Sequence, residues 1–176
     1  MNLPRGSLLR KRVVADPATA LETALERAVT GYLRLSSQAA LLLEAEGAGV
    51  ITLEEGIPVV AYHTGTDRGG PAALGDMALP GPYGMALYEL EAGALDAVHD
   101  TPDLRVPPGM PARRLAGDPD LASRTRAAAP EARRATAAEG PQPSPVEAFL
   151  DDEEKIRSLK DAARSEATER AAEWDL

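Results

Sequence analysis

The chain has 176 residues, which allows one ordinary domain and a tail but not two full domains. Its formal net charge is −9, so it lacks the basic balance with which a general nucleic-acid binder displaces phosphate counterions, and we expect no nucleic-acid partner. It contains no cysteine, which excludes disulfides, zinc–thiolate sites and thiol nucleophiles.

The basic residues are mostly arginine, since 16 arginines accompany three lysines. An acidic, lysine-poor and alanine-rich composition is typical of proteins adapted to concentrated salt, as in halophilic archaea, because salt screens the repulsion between surface charges. A genome rich in G and C would favour the same residues, and the two interpretations are compatible.

The N-terminal cations Arg5, Arg10, Lys11 and Arg12 resemble the basic start of a signal peptide. The apolar stretch that follows them is too short for such a peptide. No apolar run approaches the about 20 residues that span a bilayer. We expect a cytoplasmic protein with no membrane insertion.

The first predicted element is a helix that begins at Asp16 and Pro17, because aspartate is a favoured N-cap and proline suits the first helical position. The following apolar residues have the i, i+3, i+4, i+7 spacing of one buried face: Leu21, Ala24, Leu25 and Ala28. Gly31 is placed to end this helix as a C-terminal cap.

The next four segments are predicted to be strands: residues 32–35, 40–45, 50–53 and 57–62. The last two flank Glu54-Glu55-Gly56, which is a short hairpin connection with a glycine. Pro58 cannot donate a ladder hydrogen bond, so it must lie at a strand start, an edge or a bulge.

A second helix is predicted after Gly69-Gly70-Pro71, with Pro71 near its first position. Residues 83–90 form a further strand, in which Tyr83, Met85 and Leu87 share one face by two-residue alternation. A short helix follows at 92–99. The predicted fold is α+β, with a mostly antiparallel sheet of four to five strands and flanking helices.

The chain divides into three predicted parts. An α+β domain covers residues 1–129, with its core within 15–100 and a last helix at about 119–129. Residues 130–143 are rich in alanine and proline with little to bury, which predicts a disordered linker. Ser144-Pro145-Val146-Glu147 is a capping box, and it predicts a separate charged, amphipathic helix over 144–176.

No catalytic set is recognisable around the two histidines, His63 and His99. His63 lies near Thr66 and Asp67 at a strand end, but no Gly-x-Ser-x-Gly elbow supplies an activated serine. His99 lies at a helix C-terminus, where a cation is favoured. We predict surface or capping histidines, no catalytic residue, no metal, no cofactor and no enzymatic activity.

Segment 62–71 is the candidate for a small ligand. It is glycine-rich and leads into a helix N-terminus, whose free N–H groups bind anions. It has neither the Gly-Lys-Ser/Thr of a phosphate loop nor the Gly-x-Gly-x-x-Gly spacing. The residues that would take part are His63, Thr66, Asp67, Arg68, Gly69 and Gly70. The other interpretation is a tight strand-to-helix connection that needs glycine for backbone reasons.

The predicted C-terminal helix is the candidate for a protein partner. Aromatic residues are rare in this chain, and the predicted helix carries Phe149 and Trp174. Its thin apolar stripe includes Phe149, Ile156, Leu159 and Trp174, and Leu150 stands next to Phe149. Such a stripe is typical of a helix that docks in a partner's groove. A solvated helix that only keeps the tail soluble is one alternative, and self-association into a homodimeric coiled coil is another.

Four segments in the middle of the chain share a rhythm of glycines and apolar residues: Gly31-Tyr32-Leu33-Arg34-Leu35, 49–61, 69–74 and Gly81-Pro82-Tyr83. Together they resemble a PATAN-type domain over about residues 15–90. Leu53 stands where that family usually has an aromatic residue, and the apolar run at 40–45 is extra. The resemblance implies a non-enzymatic regulatory or interaction module, of the kind found with response-regulator and small-GTPase systems. The whole chain also resembles uncharacterised single-domain proteins of haloarchaea.

These observations predict a non-enzymatic cytoplasmic adaptor or regulatory interaction protein. An unidentified protein partner would dock through the C-terminal helix and the domain surface. The alternative is a small-ligand or anion-sensing domain that uses the glycine-rich segment 62–71.

Overall fold

A computed structural model describes residues 3–37, 47–78 and 82–138. By its internal contacts the chain divides into two units, Met1–Ala138 and Glu139–Leu176, and the described residues all lie in the first. Their architecture is α+β with an antiparallel sheet and several helices, so the predicted fold class is confirmed. The predicted strand at 40–45 and the predicted helix at 144–176 lie outside the described residues.

The described strands are β1 (Ser7–Val14), β2 (Gly31–Ser37), β3 (Gly49–Glu54), β4 (Ile57–His63), β5 (Arg68–Gly69) and β6 (Tyr83–Glu89). The described helices are α1 (Ala18–Glu26), α2 (Gly70–Met77), α3 (Asp96–His99), α4 (Met110–Leu115), α5 (Pro119–Ala128) and α6 (Glu131–Ala138), with a 3-10 turn at Pro102–Leu104. None of these helices is long and apolar enough to cross a membrane.

The sheet runs in the order β1-β6-β2-β3-β4-β5, and each neighbouring pair is antiparallel. It therefore has six described strands where four to five were predicted. Two described strands were not predicted from the sequence, the two-residue β5 and the longer β1. The residues of β1 are mostly exposed, and a bulge between Leu8 and Arg10 interrupts the two-residue alternation that marks a strand.

One face of the sheet carries the core. Leu33 of β2, Ile51 of β3 and Leu87 of β6 are fully buried there, and Leu74 of α2 and Leu121 of α5 pack into the same cluster. The core was predicted within residues 15–100, and this boundary is wrong. Helices α4 and α5 complete the helical layer, so the core continues past residue 120.

Asp118 is the N-cap of α5, whereas α1 has Pro17 in the N-cap position and not the predicted Asp16. The Asp16 carboxylate accepts a 2.7 Å hydrogen bond from Ala18 N, and the Asp118 carboxylate accepts one of 2.8 Å from Leu121 N. The predicted end of the first helix at Gly31 is wrong, because α1 ends at Glu26 and Gly31 begins β2. A Cβ at Gly31 would lie 2.0 Å from the Tyr88 carbonyl oxygen, so glycine serves the close approach of β2 and β6.

Two further predictions, the place of Pro58 and the disordered linker, can be compared with the structure around Pro58. Pro58 lies opposite Leu53 where the register of β3 and β4 shifts, so its predicted place at a bulge is confirmed. The predicted disordered linker is wrong over its first part, because Glu131–Ala138 forms α6. The Arg133 guanidinium donates a hydrogen bond to the Pro58 carbonyl oxygen, a tertiary contact that fixes this helix against the sheet. The linker residues after Ala138 lie outside the described residues.

Candidate functional site

The segment 62–71 joins β4 to α2, and its polar side chains bond to one another. Thr66 Oγ1 donates to Asp76 Oδ2 over 2.6 Å, and Thr66 N donates to His63 Nδ1 over 3.2 Å. The Tyr62 hydroxyl donates to the Asp67 carboxylate, and this hydrogen bond raises the pKa of Tyr62. The structure therefore brings the predicted ligand residues together as a self-paired cluster.

Anion binding by this segment would depend on the charge of Arg68 and on the N-terminus of α2. Both already make contacts within the domain. Arg68 forms a 3.0 Å ion pair with Asp76. A Cβ at Gly70 would lie 2.7 Å from the Asp103 carbonyl oxygen, and one at Gly69 would meet Leu104, so the 3-10 turn packs over the start of α2. This geometry favours a tight strand-to-helix connection.

The second histidine lies on the sheet face opposite the core. His99 Nε2 is 3.0 Å from Oγ1 of Thr52, which is fully buried and accepts a 3.1 Å bond from Val60 N. Burial lowers the pKa of His99, in spite of nearby Glu54. His99 is the last residue of α3, the helix end at which it was predicted, and its ring also contacts the β3–β4 half of this face.

Arg133 belongs to the same covered half. Its Nη2 donates to the Pro58 carbonyl oxygen, while its Nη1 is buried without a hydrogen-bond partner among the described residues. Burial lowers the pKa of Arg133, and the neighbouring Glu54 carboxylate opposes that shift. These contacts hold α6 and α3 over β3 and β4.

The β1–β6–β2 half of the face opposite the core forms a groove, which we call the open sheet face. Cross-strand pairing arranges it in three rows of three residues. In the middle row, Lys11 of β1 and Arg34 of β2 flank Ala86 of β6. Paired Cα atoms in antiparallel strands are about 5 Å apart, so the Cα atoms of Lys11 and Arg34 are about 10 Å apart, with Ala86 between them. Both are exposed, and neither pairs with a described residue.

The row toward the N-terminus of β1 is apolar and aromatic. Leu8 lies beside Tyr88, and Tyr88 lies beside Tyr32. The two tyrosine rings are stacked, with centroids 4.7 Å apart and an interplanar angle of 21°. Leu8 keeps 53% of its surface exposed. This row gives the open sheet face an apolar wall at one end of the cationic row.

The third row is Val13, Gly84 and Ser36. A Cβ at Gly84 would lie 2.9 Å from Ser36 Oγ, and that hydroxyl donates a 3.3 Å hydrogen bond to the Gly84 carbonyl oxygen. Because β6 offers only glycine and alanine in this stretch, a cavity of about 350 Å³ lies along it between β1 and β2. None of the residues in the three rows is acidic.

Sequence reasoning missed the open sheet face. The cations Arg10, Lys11 and Arg12 stood out in an acidic chain, but their arrangement as a strand did not. The two small residues Gly84 and Ala86 at alternate positions of the predicted strand 83–90 were the available signal, since small residues at alternate positions mark one shallow face.

The other predicted sites have simpler outcomes. The predicted partner-binding residues Phe149, Leu150, Ile156, Leu159 and Trp174 lie outside the described residues. Across the described ranges, no group of three or more His, Cys, Asp or Glu side chains could hold a metal ion.

Within the described residues, the fold and site define an α+β protein with a helical layer on one sheet face and a partly covered opposite face. The chain belongs to the family described as Domain of unknown function (DUF8572), whose profile matches residues 2–176. No curated protein and no solved structure matches the chain.

Proposed function

We propose that the chain is a non-enzymatic cytoplasmic adaptor or regulatory protein that docks a protein partner on the open sheet face. The observation that supports this most directly is the exposure of apolar and cationic groups side by side. Leu8 is 53% and Val13 is 56% exposed, next to Lys11 and Arg34, neither of which pairs with a described residue. Apolar surface with a polar or charged rim is typical of protein interaction sites.

The histidine contacts support a non-enzymatic role. His63 accepts a hydrogen bond from the Thr66 backbone within its own turn, and His99 contacts Thr52 inside the sheet. Both contacts hold structural elements in place. The resemblance of residues 15–90 to PATAN-type domains supports the same class of function.

The predicted C-terminal helix is proposed as a second docking element. Its stripe includes Phe149 and Trp174, which are large anchors in a chain with few aromatic residues. Full-length variants Phe149→Ser and Trp174→Ser test it without truncation. Each should weaken partner binding, and an unchanged dissociation constant in both variants would remove the helix from the interaction.

A different interpretation of β1 is protection of a sheet edge. Cations and bulges on edge strands discourage pairing with other chains, and β1 has both. This interpretation explains Lys11 but gives no role to Leu8 and Val13, which protection would replace with polar residues. Substitution of the two apolar side chains therefore separates the two interpretations.

The experiment compares full-length wild type with Leu8→Ser/Val13→Ser. Wild-type protein captures its partner from native lysate, the partner is identified and purified, and its dissociation constant is measured against both proteins. We expect the variant to bind about tenfold more weakly, as for loss of two interface contacts. The matched control, Ala127→Ser/Ala128→Ser on the exposed side of α5, should bind like wild type. Equal affinity of the test variant and wild type would contradict the proposal.

The alternative proposal is small-ligand or anion sensing by segment 62–71. The cation of this segment is Arg68. Its side chain is 58% exposed, but it already forms an ion pair with Asp76. If the segment senses an anion, Arg68→Glu should abolish the response to that anion. Unchanged binding in this variant would count against the alternative.

A further inference from the structure

The open sheet face combines its features in a fixed order along β1. An apolar row with Leu8 and Tyr88 comes first, and a cationic row with Lys11 and Arg34 comes next. The two rows are separated by two residues on β6, which is about 6.8 Å in an antiparallel strand. A ligand that uses both rows must present an anionic group and an apolar group at that distance.

We propose that the open sheet face binds an acidic, extended segment of the partner protein, with one carboxylate held between Lys11 and Arg34. In an extended peptide, side chains two positions apart lie on one face and are about 6.8 Å apart. The recognised motif is therefore an Asp or Glu with a large apolar residue two positions away. The apolar residue packs against Leu8 and Tyr88. This inference rests on the proposed function and names the chemistry of its partner.

The charges favour this occupant over two others. A second copy of the chain would place Arg10, Lys11 and Arg12 opposite like charges wherever β1 met β1, which is unfavourable. A nucleic acid would meet a protein of net charge −9 with two cations in the groove, too few to offset long-range repulsion of a polyanion. An acidic peptide needs only those two cations.

The size and shape of the groove agree with a short segment. The cavity of about 350 Å³ follows β6 over Gly84 and Ala86, whose small side chains leave the floor low. Lys11 and Arg34 rise on either side of it. A carboxylate on the floor can accept hydrogen bonds from both cations, which form without first breaking an ion pair to a described residue.

The test uses two synthetic probes and backbone amide shifts of the full-length ¹⁵N-labelled protein. One probe is the peptide Gly-Ser-Glu-Thr-Leu-Ser-Gly, and the other replaces its glutamate with lysine. We expect the glutamate peptide to shift the amides of Lys11, Arg34, Ala86 and Tyr88, and the lysine peptide to leave them unchanged. Equal shifts with both peptides would overturn the proposal.

A charge swap makes the test specific. Lys11→Glu/Arg34→Glu should weaken binding of the glutamate peptide by at least about fivefold and create binding of the lysine peptide. The control Arg113→Glu/Arg126→Glu makes the same charge change on exposed helical positions and should keep the wild-type preference. Should the swapped protein keep its preference for the glutamate peptide, the carboxylate site is disproved.

Two more probes and one measurement of oligomeric state distinguish the acidic segment from other occupants of the open sheet face. Sodium acetate at the peptide concentration should give much weaker shifts, and equal shifts would show that the apolar row takes no part. A short single-stranded oligonucleotide that binds more tightly than the peptide would overturn the choice of a protein segment. Concentration-dependent dimerisation that the charge swap abolishes would assign the face to a second copy.

The two proposals can fail separately. If Lys11→Glu/Arg34→Glu leaves peptide preference unchanged while Leu8→Ser/Val13→Ser still loses the natural partner, only the acidic motif is wrong and the docking proposal stands.

Discussion

His99 Nε2 lies 3.0 Å from Oγ1 of Thr52, a fully buried threonine in the middle of β3. The contact joins a helix of four residues to the sheet and closes the β3–β4 half of the face opposite the core. The other half has no such cover among the described elements. The boundary of the open sheet face therefore depends on this contact together with the Arg133–Pro58 contact of α6.

The first prediction concerns pH. Burial lowers the pKa of His99 below the ordinary value of 6.5, and Arg133 and Arg105 act in the same direction, while Glu54 and Asp96 oppose them. As the pH falls below about 6.5, the unfolded chain binds a proton that the folded chain still resists. The free energy of unfolding should therefore decrease between pH 6.5 and the lower folded pKa, and level off below it.

The measurement is urea denaturation of wild type and His99→Gln between pH 8 and pH 5.5. One full proton would change the free energy of unfolding by about 1.4 kcal/mol per pH unit. The measured slope should be smaller, because His99 is only half-buried. His99→Gln should lose part of this slope, and the control Ala127→Ser on exposed α5 should keep it. The same slope in all three proteins would show that His99 does not titrate as its contacts require.

The second prediction concerns the hydroxyl of Thr52. Thr52→Val removes the acceptor of the Val60 N–H and the partner of His99 while keeping the shape of the side chain. Leaving a buried N–H unpaired costs about 1–3 kcal/mol of the free energy of unfolding. Thr52→Ser keeps the hydroxyl and should lose only the about 1 kcal/mol of one buried methyl group. Chemical denaturation checks both, and a valine variant as stable as wild type would contradict the prediction.

The third prediction uses two glycines with opposite expected signs. Gly31→Ala would place a Cβ 2.0 Å from the Tyr88 carbonyl oxygen, so β2 and β6 must separate, and we expect a loss of about 1–3 kcal/mol or more. Gly75 lies within α2 with nothing within 4 Å of its added Cβ, so Gly75→Ala should stabilise the protein by about 0.5–1 kcal/mol. Thermal unfolding compares the two, and equal midpoints would refute the strand packing described.

The sequence predicted the elements that local signals define. The helix predicted at about 119–129 is α5, Gly69-Gly70-Pro71 predicted the start of α2, and Pro58 predicted a strand start, an edge or a bulge, of which the structure has a bulge. In each case the signal and the structure lie within a few residues of one another, so backbone chemistry alone was enough.

The open sheet face could not be predicted in this way. Lys11, Arg34 and Ala86 come from three distant parts of the chain, and only the strand order β1-β6-β2 makes them neighbours. Helix α6 was missed for a related reason. Its sequence has no large apolar residue, and a contact that fixes it joins Arg133 to Pro58, which is 75 residues away.

The most direct test of docking on the open sheet face is photo-crosslinking in cells. A benzophenone amino acid replaces Val13 on the open sheet face in one full-length protein, and Arg126 on exposed α5 in another. We predict that the Val13 position crosslinks to one partner protein, that the Arg126 position does not, and that Lys11→Glu/Arg34→Glu removes the crosslink. A partner that crosslinks equally from both positions, or a Val13 position without a crosslinked partner, would contradict the account.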